Sequence, residues 1–436
     1  MTATTARYFD YSVAQNLLKN TYADSVEDMV PESDKIAKEL EFIAADKQPG
    51  LQYNMPVTIS REMGATFNND GSVFQLNKPL SRTELNATIQ GNEFVLRSAM
   101  SYGILNRALK GDVSTTAGKR AFVSATKDTM QALTKSASFF REAQLLYGGG
   151  SGVGATLATV ASITTQTGTS LVIGVAAADW ATALWVGSEG GEYDIYSSGG
   201  TKRNTAGTVG DTVYKLTAAN PAVGVYSLSF TSHATNVSAV ATTDQVFFAG
   251  ARAKEALGIV GACQTSGSLW GINTTSYNLW QPKTSSVGGS LTFERIMQGV
   301  SKVADIGFVG TINVHVSPNS WQDINDDQAA LVRHGDKAGG EVSLGYEEIS
   351  FYGQTGKINI KPNIYIKRGI AVGLPEGYGM RVGSSDITFT MPGYGKMMRE
   401  LEDYAGVETR MYWDQAFFCK APAYMHLWTG ITNTAD

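Results

Sequence analysis

The period of the apolar positions changes several times along the chain, and each change marks an element. From Ser33 to Ala45 the residues Ile36, Leu40 and Ile43 fall at helical spacing behind a capping serine, which predicts a short helix in a polar stretch. At Met55 the period drops to two. Met55, Val57 and Ile59 alternate with Thr58 and Ser60, and a second β-rich run, Val73-Phe74-Gln75-Leu76, follows Asn68-Asn69-Asp70-Gly71. Asp-Gly between two such runs supplies the positive φ of a tight turn, so residues 52–90 read as a long hairpin with its tip at Asn68–Phe74. A projecting hairpin exposes edges that another chain commonly covers.

The helical period takes over from residue 118 to residue 147. Phe122, Thr126, Thr129, Leu133, Ser136 and Phe140 form one stripe, and Arg120, Lys127, Gln131, Lys135 and Arg141 gather on the opposite side. After Tyr147 the glycines at 148–150, 152 and 154 read as a helix stop and a hinge. Residues 155–245 are dense in Thr, Ser, Gly, Val and Ala and carry nine charged side chains. Their short β runs (Ser170–Val175, Val213–Leu216, Val225–Phe230, Gln245–Phe248) predict an inserted antiparallel barrel or sandwich.

Helical spacing returns at Ala256, Leu257 and Val260, and again at Phe293, Ile296, Val300 and Val303. Thr311–Val316 is a β run, and Ser317-Pro318 opens a helix expected to reach about Arg333. Ile358, Ile360, Ile364 and Ile366 alternate with Lys357, Lys361 and Lys367, with Pro362 marking an edge or bulge. The aromatic stretch Arg410–Ile431 predicts a buried C-terminal strand.

Composition changes this picture in three places. Only 17% of the 436 residues are charged, against about 25% in an ordinary soluble domain, so part of the surface is expected to be covered, most simply by copies of the chain. The net charge of −5 is unevenly spread: residues 1–50 hold nine acidic and five basic side chains, whereas Arg97 to Arg141 sums to +6. That local excess is either a solvated face or a helix turned toward an anionic polymer. No secretion signal and no apolar run of about 18 residues is expected to direct the chain to a membrane, so Cys263 and Cys419 read as buried free thiols of a protein assembled in a reducing cytoplasm.

Candidate chemistry is sparse. Gly150-x-Gly152-x-x-Ala155 has the form of a dinucleotide fingerprint but follows a helix instead of a strand. There is no Gly-x-Ser-x-Gly, His-Glu-x-x-His or Cys-x-x-Cys. His233, His315, His334 and His426 lie in unlike segments, with His315 expected as a satisfied core residue. Asp326-Asp327 and Glu347-Glu348 read as surface pairs, and Glu189, Glu192 and Asp194 as a weak candidate cation site. No catalytic residue, cofactor or metal is expected, and the chain is not expected to be an enzyme.

An acidic arm, a long hairpin, a long basic helix, a glycine hinge, a mixed domain with a β insertion and an aromatic end follow one another. The order resembles that of the major capsid proteins of tailed double-stranded DNA phages, the Hong Kong 97-type fold. The stretches that carry the resemblance are 244–250 leading to 255–261, Val314 to Trp321, and Arg410 to Phe418 with Pro422. The resemblance implies an α+β chain that self-assembles into the hexamers and pentamers of an icosahedral shell around phage DNA, located in the virion.

It further implies an N-terminal arm (1–50), an extended loop (51–96) lying over a neighbouring subunit, and a peripheral domain (97–149 and 351–409) with its spine helix at 118–147. An axial domain (150–350 and 410–436) would include the insertion at about 165–245. Asn68, Asn69, Asp70, Gly71 and Phe74 would then make the intersubunit contact, and Arg120, Lys127, Lys135 and Arg141 would face packaged DNA without reading its sequence. Implied partners are the chain itself, a portal protein, a separate scaffolding protein and a decoration protein. The competing readings are an encapsulin-like compartment shell, a β-rich surface adhesin and a hydrolase.

Overall fold

Gly406–Cys419, a 14-residue strand buried at most of its positions, is the centre of a five-stranded sheet. The computed structural model describes residues 35–44, 52–68, 71, 73–102, 116–149, 156–203, 214–222, 224–232, 239–263, 266–327, 349–389, 398–402 and 405–434, with the side chains of the long helix from Met130 onward. Asn92–Ser101 runs antiparallel along one side of the central strand, and Gly379–Thr388 and Met398–Glu400 share the other. Glu41–Ala44 adds in parallel outside Gly379–Thr388. The helix Thr116–Tyr147 packs on this sheet through Leu133 and Ala137 against Met411 and Trp413, and Phe94 stacks on Trp413 with ring centroids 4.1 Å apart.

A second, six-stranded sheet has the order Lys283–Gly289, His426–Ile431, Ile370–Pro375, Ile312–Val316, Lys357–Pro362, Ile349–Tyr352. Ile312–Val316 and Ile370–Pro375 are buried at every residue, as central strands covered on both faces are. The helix Phe293–Ala304 lays Phe293, Ile296, Val300 and Val303 on this sheet, as their spacing predicts. Its first turn is held by the Thr292 hydroxyl and by Asp327, which accepts the Phe293 N–H at 3.0 Å. Ser317 caps Pro318–Asp326, accepting the Ser320 N–H at 3.2 Å.

The expected insertion is a closed barrel of Ala158–Thr167, Ser170–Val175, Glu192–Tyr196, Tyr214–Ala222, Val225–Ser232 and Gln245–Phe248. Leu171, Ile173, Tyr193, Ile195, Leu228 and Phe230 fill it, none more than 1% exposed. Closure leaves no free strand edge, so the barrel adds surface without adding a site of adventitious pairing.

Several expectations are corrected. Ser33–Ala45 is not one helix: a single turn, Ile36–Glu39, breaks at Leu40 into the strand Glu41–Ala44, because pairing with Met380–Gly383 satisfies backbone that a lone short helix leaves open. The second hairpin strand is Glu84–Ile89, not Val73–Leu76. The helix after Pro318 ends at Asp326 rather than near Arg333, and the helix expected around Ala256 is the single turn Ile259–Ala262. Pro362 closes an inner strand, where its missing N–H costs nothing, and Asn363 donates to Val316 instead. Arg410–Ile431 is two strands in two sheets.

Residues 357–362 and 370–375 belong with 312–316 and 426–431 in the six-stranded sheet, whereas 406–419 pairs with 92–101 in the other.

Candidate functional site

Two surfaces were expected to act, the hairpin and the long helix, and the end of the helix enters a joint with residues 363–367 and the barrel module. In the hairpin Tyr53–Thr58 pairs with Glu84–Ile89, from Tyr53↔Ile89 to Thr58↔Glu84. Its base is anchored: Ala87 is buried, the Thr88 N–H donates to Trp270 O at 2.9 Å, and Tyr53 meets Phe418 edge to face at 5.7 Å. Beyond Ile59 the two arms run without a ladder, tied by Met63 N–H to Leu80 O (3.2 Å) and by Asn77 to Thr66 Oγ1 (2.8 Å) and Ala65 O (2.9 Å). Gly71 takes the positive φ of 94° that Asp-Gly predicted.

The distal part is apolar and bare. Phe67 is 92% exposed and Val73 fully so, with Met63, Leu76 and Phe74 at 73%, 75% and 50%. Asn68 is exposed beside them, and Asn69 and Asp70 lie outside the described residues. Large apolar side chains held this far from any core mark an interaction surface.

The long helix departs from expectation. Arg141 belongs to the buried side: the side chain is 10% exposed and its Nη1 lies 3.3 Å from Asp386, which also receives Arg381 at 2.9 Å. At 100° per residue Arg141 sits only about 40° from Ala137, so it lies next to the Leu133–Ala137 stripe rather than opposite it, and Ser136 is exposed. Arg141 is therefore not a DNA-facing residue. Lys135 is half-buried and lines a cleft of about 240 Å³ between the helix and the segment Val186–Tyr193. The side chains of Arg120 and Lys127 lie outside the described residues.

The joint was missed in the sequence. Glu142, fully buried, accepts the N–H groups of Ile36 (2.9 Å) and Ala37 (3.2 Å) and the side-chain amide of Asn363 (3.3 Å). One turn on, the Tyr147 hydroxyl donates to Tyr365 O at 2.7 Å and accepts the Lys367 N–H at 3.0 Å, and burial raises its pKa. Lys367, placed by the alternation opposite the isoleucines, is 1% exposed at its side chain and reaches Asp179 of the barrel module at 2.6 Å, with Thr156 O as a second acceptor. Asp179 also accepts the Thr159 N–H at 2.6 Å. The lone acid in Ala176-Ala177-Ala178-Asp179-Trp180 was the available signal, since such a charge inside an apolar run needs a partner.

Elsewhere chemistry is quiet. Asp194 pairs with Lys202 at 2.8 Å, Glu189 caps the Gly187 N–H at 2.9 Å and Glu192 faces Lys215 at 3.8 Å, so the three acids do not form a cation site. No group of three metal-ligating side chains converges among the described residues. His315 is fully buried with Nε2 3.2 Å from Glu39. Cys263 and Cys419 are buried free thiols; burial raises both pKa values, that of Cys419 to about 12, which leaves them unreactive. No helix of the described residues is long and apolar enough to cross a membrane.

No protein-family profile and no curated protein matches the chain. Solved structures do. The capsid of cyanophage A-1(L) is similar over 96% of this chain and 98% of its own, at 12% identity and a TM-score of 0.50. The capsid of cyanophage P-SCSP1u (96% and 94% covered, 8% identity, TM-score 0.47) and an encapsulin from Synechococcus elongatus (97% and 96%, 8%, 0.41) are also similar. End-to-end likeness to the first gives the chain the Hong Kong 97-type capsid fold.

Proposed function

We propose that this chain is a shell-forming subunit: copies assemble as hexamers and pentamers into the icosahedral capsid of a tailed phage, around double-stranded DNA. The observation that carries the reading is the hairpin. On a fold shared end to end with a phage capsid, it presents Phe67, Val73, Phe74 and Leu76 to solvent, and a neighbouring copy is the surface that covers them. The virion is the location that follows, with portal, scaffolding and decoration proteins as further partners of such a shell. DNA contact is nonspecific; Arg120 and Lys127 remain its candidates, with Lys135 on the cleft and Arg141 withdrawn.

The test is electron microscopy of the purified chain and of a variant lacking Asn68 to Phe74. Wild type should give closed shells; the variant should keep its circular dichroism spectrum and fail to close them. Nuclease-resistant DNA in shells from infected cells separates a genome container from a protein-cargo compartment. Small oligomers from wild type, or normal shells from the deletion, overturn the reading.

A further inference from the structure

Residues 35–44 touch all three bodies of the frame. On the six-stranded sheet, Lys35 Nζ donates to Pro362 O at 2.8 Å, and Glu39 accepts Lys361 Nζ at 2.9 Å and Asn313 Nδ2 at 3.3 Å, with His315 Nε2 at 3.2 Å. On the long helix, Glu142 takes the N–H groups of Ile36 and Ala37. On the five-stranded sheet, Leu40 O accepts Arg381 Nε at 3.2 Å, the Phe42 ring lies 5.5 Å from the Arg381 guanidinium, and Glu41–Ala44 pairs with Met380–Gly383. Ile36, Ala37 and Leu40 are buried at the crossing.

We propose that this segment is a releasable strap that locks the angle between the two sheets and thereby sets the curvature of the assembled shell. The second half of the statement rests on the shell-forming reading; the first does not. The argument is one of leverage. A parallel edge strand of four residues holds weakly by itself, and a single helical turn is not stable alone. Beside the buried Ile36, Ala37 and Leu40, the polar hold is concentrated in two carboxylates: Glu142, which satisfies the open N–H groups where the turn begins, and Glu39, which gathers three donors from adjacent strands of the other sheet. Loss of both frees the ten residues together while leaving each sheet its own ladder, so the joint loosens without unfolding either body.

The test uses the full chain carrying Glu39→Gln and Glu142→Gln together. In the unassembled subunit, amides of 36–44 and 380–383 should exchange with deuterium at least about tenfold faster than in wild type. Spin labels at exposed Val95 and Tyr352, one on each sheet, should report a distance distribution at least about twice as broad. Assembled shells should spread in diameter, and an Ile43→Cys/Val382→Cys disulfide, which pins the strand to the five-stranded sheet alone, should slow exchange at 41–44 again while the label distribution stays broad. Unchanged exchange and unchanged label distances overturn the lock. A loosened joint with shells of wild-type diameter overturns its control of curvature, and absence of shells from wild type overturns the shell-forming reading while the label distances still test the lock. If the double variant misfolds, Glu39→Gln alone, at a partly exposed side chain, gives the same readouts.

Discussion

Replacing Lys367 by Met tests whether the barrel is held to the frame by charge. The ammonium lies 2.6 Å from Asp179, with side chains 1% and 9% exposed. Removing one partner of such a pair leaves the other charge buried, at about 3–5 kcal/mol. Asp179 keeps the Thr159 N–H at 2.6 Å, which places the cost near the lower figure, about 3 kcal/mol. At 1.4 kcal/mol per factor of ten, the joint should open roughly a hundredfold more often. The readout is native-state hydrogen exchange at the amides that cross it: Thr159, which donates to Asp179; Arg368, which donates to Trp180 O; and Gly369, which donates to Ala178 O. Exchange at all three should accelerate together, while core amides of the six-stranded sheet stay slow. Lys367→Met with Asp179→Leu removes both charges and should recover most of the loss, since a well-packed apolar pair is often no worse than a buried ion pair. Acceleration below about fivefold in the single variant, or a double variant as unstable as the sum of the singles, would refute the reasoning.

Gly299→Ala should lower the melting temperature. The added Cβ would sit 2.5–2.6 Å from the indole of Trp428, which is fully buried and bonded to Arg295 O, and overpacking of about 1–3 kcal/mol outweighs the helix-propensity gain of about 1 kcal/mol; a raised melting temperature contradicts this. Burial, with the Lys302 ammonium second, holds the His426 pKa at about 3, below its ordinary 6.5. The folded imidazole thus stays neutral while the unfolded one charges, so stability should fall as pH drops from about 6.5 toward 3, at up to about 1.4 kcal/mol per pH unit; denaturant titrations should show that slope shrink in His426→Gln, and an unchanged slope contradicts the assignment. Arg141→Gln should destabilise the five-stranded sheet by about 1–3 kcal/mol, the cost of stripping a charged hydrogen-bond donor from a mostly buried site, and leave DNA retention in surviving shells unchanged. Arg120→Gln with Lys127→Gln should do the reverse, as salt-dependent release of DNA would show.

Local signals that decided structure by themselves were readable. Ser170–Val175 and Gln245–Phe248 are strands at their expected bounds, because a short β-rich run between turn residues marks a strand even where, as for Gln245–Phe248, the partner lies as far back as Ala158. Ser317-Pro318 opened its helix for the same reason. What failed depended on partners remote in sequence. Arg141 read as DNA-facing because its attraction to Asp386 spans 245 positions, and the burial of Lys367 went unseen because its partner lies 188 positions away. Glu41–Ala44 is a strand only because Met380–Gly383 offers an open edge. For the hairpin, the sequence supplied the turn at Gly71, and the bareness of Phe67 and Val73 required coordinates.

The pairing of Gly406–Cys419 with strands on both sides has a consequence for synthesis. Until those residues leave the ribosome, Asn92–Ser101, Gly379–Thr388 and Met398–Glu400 have no central strand to join, and Lys283–Gly289 awaits His426–Ile431 in the same way. Nascent chains on one messenger, crowded enough to meet, therefore carry their exposed hairpins on frames that are not yet built. Late closure of both sheets delays the folded subunit until residue 431 has left the ribosome, so the hairpin is made well before the frame that carries it.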